Sequence, residues 1–122
     1  MDLDDWAELI GNNNFKNGWH DRFHELEQAG DTEGARDHVI AKVMLVTTEL
    51  AEAVEELRSG RALAETYEGE GGKPEGFGVE IADSIIRLLD LADMLGLPIG
   101  RLVNQKVAFN ATRGRMHGGK TV

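Results

Sequence analysis

The chain has 122 residues, a length that suits one domain, and 41% of them are hydrophobic, enough to form a core. Its formal net charge of −9, from 22 acidic and 13 basic residues, excludes the basic surface that binding a nucleic acid polymer requires. It has no cysteine, which removes disulfides, thiolate catalysis and Cys-ligated zinc. A nucleotide substrate stays open despite the acid, because a bound divalent cation reverses the local sign of the field. The opening MDLDDWAELIG lacks the layout of a signal peptide, and charges interrupt every apolar stretch, so a cytoplasmic protein with no membrane span is expected. Fifteen glycines and long loops limit the core one copy can build, which predicts a homodimer or homotetramer.

In chain order, residues 1–10 carry Leu3, Trp6, Leu9 and Ile10 at helical spacing, and GNNNFKNG then reads as a turn. A second amphipathic segment covers about 19–29, with Trp19, Phe23 and Leu26 on one face. Gly30 ends it, and Asp31 or Thr32 is placed to cap the next. From about Glu33 to Arg58, Val39, Val43, Val46, Leu50, Val54 and Leu57 recur every three or four residues, a long helix stopped by Ser59-Gly60. TYEGEGGKPEGFG, residues 66–78, is a loop. A further helix follows from Val79 through Ala82, Ile85, Ile86, Leu89, Ala92 and Leu95 to Gly96. Pro98 suits the first turn of a last helix, which continues to about Arg113 through Leu102, Val103, Val107 and Phe109. No strand pattern or repeat is visible. The expectation is one all-α domain over 1–122, a helical bundle with an N-terminal segment (1–18) and an irregular tail (114–122).

Two acidic pairs stand out in this frame, Glu49/Glu52 in TTELAEAVEELRSG and Glu80/Asp83 in GVEIADSIIRLL. Three-residue spacing puts each pair on one helix face, with Cβ atoms roughly 5–6 Å apart. Opposed across a bundle, the pairs would offer the hard oxygen ligands that Mg²⁺ or Mn²⁺ prefers. Spacing alone leaves two readings open, a metal site and a solvated face. Glu55 and Glu56, beside Arg58 at the helix end, read as solvated. The other four border Ala51, Ala53, Ile81, Ala82 and Ile85, where an unpaired charge is costly.

The ELAE and EIAD segments, separated by residues 53–79, resemble the ExxE…ExxD signature of the MazG-like all-alpha nucleoside triphosphate pyrophosphohydrolases. Lys106 and Asn110, with Arg113 one turn on, are similar to that family's KxxxN segment. The ending RMHGGK, with KPEGFGVEIAD and NGWH, resembles the short phage and actinobacterial members; the likeness runs from about residue 17 to 120. It implies a four-helix core completed by oligomerisation, and Mg²⁺ (with Mn²⁺ a substitute) held by Glu49, Glu52, Glu80 and Asp83. Glu49 or Glu52 would activate water, and Lys106, Asn110 and Arg113 would contact phosphate. A nucleoside triphosphate would be cleaved to monophosphate and pyrophosphate. Trp19, His20 and Phe23 are placed to meet the base, with a core or interface role open for Trp19 and favoured for Phe23. His117 and Lys120 are open to two readings, a tail that touches phosphate and a disordered tail.

Three other signals are set aside. GRMHGGKT matches a P-loop expression, but only one residue follows it, where a P-loop needs a helix. His20 and His24 are four apart without a third ligand in view. A di-iron carboxylate bundle needs His three residues after Glu, where Glu52 and Asp83 stand. The rival from another class is a non-catalytic helical interaction module whose acidic faces are merely solvated.

Overall fold

The computed structural model describes residues 1–114; His117 and Lys120 lie outside them. It is all-α apart from one two-stranded ribbon, with helices α1 (Leu3–Lys16), α2 (Asp21–Gln28), α3 (Thr32–Arg58), α4 (Phe77–Leu95) and α5 (Ile99–Ala111).

α1 begins at a reciprocal cap, in which Asp5 N–H donates to Asp2 Oδ1 (2.8 Å) and Asp2 N–H to Asp5 Oδ2 (3.0 Å). It then passes through Asn12–Asn14, where a turn was expected. Asn costs a helix only about 0.7 kcal/mol relative to Ala, which tertiary contact readily offsets. That contact is made at buried Gly11, where a Cβ would collide with the Asp93 carboxylate of α4. Asp31 caps α3, its Oδ1 accepting from Gly34 N–H at 2.8 Å.

The loop after α3 is not wholly irregular. β1 (Tyr67–Glu68) and β2 (Pro74–Glu75) pair antiparallel, with Tyr67 opposite Glu75. Two-residue strands carry no legible alternation, which is why the sequence pattern omits them. Tyr67 O–H donates to the Glu56 carboxylate at 2.9 Å, so Glu56 is a half-buried acceptor rather than a solvated residue. Gly76, buried with φ +138°, then turns the chain into α4, two residues earlier than the apolar pattern indicates. A side chain there would strike the Glu65 carbonyl.

α3 and α4 form the centre of the bundle and run antiparallel, since Glu49 meets Arg87 while Glu52 meets Glu80. α1 packs on α4 and α2 on α3. Phe23, Leu26, Ala35 and Met94 make the buried cluster, flanked by Val39, Leu91 and Leu95. α5 has no buried residue and meets α1 at its own start, where Gly100 N–H donates to Asp4 Oδ1 at 3.0 Å. Leu50, Val54, Ile85, Ile86, Val107 and Phe109 remain exposed. Each such side chain, 43–61% exposed, forgoes about half of the roughly 1.5–3 kcal/mol that full burial supplies. Among the described residues, no helix is long and apolar enough to cross a membrane.

Candidate metal centre and cleft

The antiparallel α3–α4 contact brings three of the four expected carboxylates together. One oxygen each from Glu49, Glu52 and Glu80 lies within 4.8 Å of the other two. Glu49 and Glu80 are each only 8% exposed, whereas Glu52 faces solvent. Asp83, one turn beyond Glu80, stands outside this trio and lines the adjoining cleft, near enough to act on Glu80 through its charge.

The two buried acids are stabilised differently. Arg87 Nε donates to Glu49 Oε1 at 2.7 Å, and this bond holds the Glu49 carboxyl below its ordinary range. Glu80 has no such partner. Its Oε2 is buried without a hydrogen bond. Burial, followed by the charges of Glu52 and Asp83 and the proximity of Glu49, pushes its pKa up to about 7. Its place in the first turn of α4 gives it a favourable helix-dipole contact, which does not outweigh burial among like charges. A buried glutamate with an orphaned oxygen, grouped with two other carboxylates, calls for a proton or a cation. The all-oxygen donor set fits Mg²⁺ or Mn²⁺.

Beside the trio a cleft of ≈ 480 Å³ runs along the same two helices. α3 contributes Lys42, Leu45 and Glu49, and α4 contributes Asp83, Ile86, Arg87, Asp90 and Leu91. Asn14 and Trp19 close the end remote from the acidic trio. The Trp19 side chain is 67% exposed, and Lys42 Nζ donates to its backbone carbonyl at 3.2 Å, fixing the segment against α3. His20 is not available to a ligand: it is 2% exposed, and its Nε2 lies 2.7 Å from Asp90 Oδ1. His24 reaches Glu27 at 3.5 Å rather than a shared metal with His20. Phe23 belongs to the core cluster.

Lys106, Asn110 and Arg113 are exposed, on α5 and just past its end, and do not line the cleft. The Lys106 ammonium and the Arg113 guanidinium lie over the Phe109 ring, 5.1 Å and 5.7 Å from its centroid.

Reading the motifs alone misses Arg87, Lys42, Asp90 and Asn14. Three carry a detectable signal. Lys42 is seven residues before Glu49, Arg87 seven after Glu80, and Asp90 seven after Asp83, so each continues an acidic face by two turns. Asn14 has no such signal, because its segment reads as a turn. No protein-family model, curated protein or solved structure matches the chain.

Proposed function

We propose that the chain is a Mg²⁺-dependent nucleoside triphosphate pyrophosphohydrolase of the MazG-like kind. The observation that carries this reading is the convergence of Glu49, Glu52 and Glu80, with one Glu80 oxygen buried and unpartnered, beside a cleft that Glu49 also lines. A solvated acidic face, as in a non-catalytic interaction module, leaves Glu49 and Glu80 exposed; here both are buried.

In this reading Glu49, Glu52 and Glu80 would hold the ion, with Asp83 beside them on the cleft wall. A bound Mg²⁺ would supply charge to polarise the α-phosphate and to offset the charge developing on the pyrophosphate leaving group. Glu52, the one exposed member of the trio, would keep an oxygen free to take the proton of the attacking water. The water oxygen joins the α-phosphorus, the bond to the bridging oxygen breaks, and monophosphate and pyrophosphate result. Trp19 offers its exposed indole to the base at the far end of the cleft.

The reading includes assembly as a homodimer or homotetramer. Leu102, Val103, Val107 and Phe109 leave α5 uncovered, and a second copy covering them is the means by which Lys106, Asn110 and Arg113 would reach a phosphate. The test is incubation of the purified protein with each common ribo- and deoxyribonucleoside triphosphate and Mg²⁺, measuring both products. Equal release of monophosphate and pyrophosphate from at least one is expected. Folded protein that turns over none of them overturns the proposal.

A further inference from the structure

Arg87 holds a different position from the phosphate contacts the motifs suggest. It lies in the cleft, half-exposed (its side chain 44%), directly beside the acidic trio. Among the described residues its hydrogen bonding is confined to Nε, which donates to Glu49 at 2.7 Å; Nη1 and Nη2 donate to nothing. Arg and Lys supply cations to the cleft wall only at Arg87 and Lys42, against the acids Glu49, Asp83 and Asp90. Lys42 already donates to the Trp19 carbonyl. A polyanion entering this cleft therefore meets one planar fork with unused donors, the geometry that binds phosphate in bidentate fashion.

The Glu49 carboxylate thus has two cationic claimants, the guanidinium and a divalent ion. Resting on the function proposed above, we propose that Arg87 is the triphosphate-binding residue of the cleft, kept in place by Glu49 and turned to phosphate when a divalent ion takes that carboxylate. The alternative role is purely structural, with Arg87 serving only to hold Glu49 in position.

The two roles separate in calorimetric titrations of wild type, Arg87→Gln and Arg87→Lys, first with Mn²⁺ alone and then with inorganic tripolyphosphate in saturating Mn²⁺. Helix content is checked by circular dichroism. Arg87→Gln is expected to bind Mn²⁺ at least as tightly as wild type, because a competitor for Glu49 is gone. Its tripolyphosphate affinity should fall by about ten- to a hundredfold, the value of a lost charge-assisted contact. Arg87→Lys should lie between them, keeping the charge without the fork. If Arg87→Gln does not fold, the same comparison is made on Arg87→Lys: weaker tripolyphosphate with unchanged Mn²⁺ supports the proposal. Variants that bind tripolyphosphate like wild type, or that lose Mn²⁺ binding, overturn it while leaving the hydrolase reading intact. Wild type that binds Mn²⁺ but no tripolyphosphate overturns both.

Discussion

Replacing Glu80 with Gln should make the cation-free protein more stable at neutral pH and leave it nearly unchanged in acid. Glu80 titrates at about 7 in the fold against an ordinary 4.5. The native state therefore holds this proton more tightly than the unfolded chain. Between those two values the native state binds more protons, so its stability falls as the pH rises, and it levels off above about 7. At 1.36 kcal/mol for each tenfold change in proton affinity, the loss amounts to about 3 kcal/mol. Gln keeps the shape, removes the charge and supplies N–H donors to the neighbouring Glu49 and Glu52 oxygens. Urea unfolding followed by circular dichroism, with chelator present, measures the difference. The variant should gain up to about 3 kcal/mol over wild type near pH 8 and about nothing near pH 4.5. Saturating Mg²⁺ should reverse the order, because occupancy stabilises only the protein that binds the ion. A variant equal to or less stable than wild type near pH 8, in chelator, would refute a strained Glu80.

Three other changes test the supports of the site. His20→Ala leaves Asp90 buried without its 2.7 Å partner and should cost about 3 kcal/mol in urea unfolding; a loss near zero would mean that the pair contributes nothing. Gly76→Ala forces a Cβ into φ +138° and against the Glu65 carbonyl, and should cost about 2 kcal/mol. An unchanged melting temperature would show that the turn into α4 relaxes freely. Trp19→Ala should raise KM for the nucleotide about tenfold with kcat little changed, as expected for lost binding shared by ground and transition states. A variant with unaltered KM would remove the indole from the base site.

The long helices were legible because their signals are local and repeated. The Val39–Leu57 stripe specified α3, and Gly96 ended α4 in the left-handed conformation that its position after Leu95 suggests. Asn12–Asn14 misled because weak turn propensity was overridden by the Gly11–Asp93 approach, which is visible only when α1 and α4 are packed. The acidic pairs could be found by spacing, yet spacing assigns Glu80 and Asp83 equally. Only the crossing of α3 and α4 distinguishes them, burying Glu80 in the trio and setting Asp83 on the cleft wall. Arg87 was overlooked for a related reason. It is a cation on an otherwise acidic face, and its importance comes from Glu49, 38 residues away. The stripe residues Leu50, Val54 and Ile85 were correctly helical but are not covered within one copy.

The most direct measurement is Mn²⁺ binding, by calorimetry and by the electron paramagnetic resonance signal of the free ion, to wild type and to Glu49→Gln, Glu52→Gln and Glu80→Gln. The account predicts that wild type binds the ion, releases it to chelator, and melts higher when loaded. Each variant should remain helical and bind far more weakly, with Glu80→Gln affected most because it removes the oxygen that lacks any other partner. Wild type that takes up no Mn²⁺, or variants that bind it as wild type does, would contradict the claim that these three carboxylates form a metal centre.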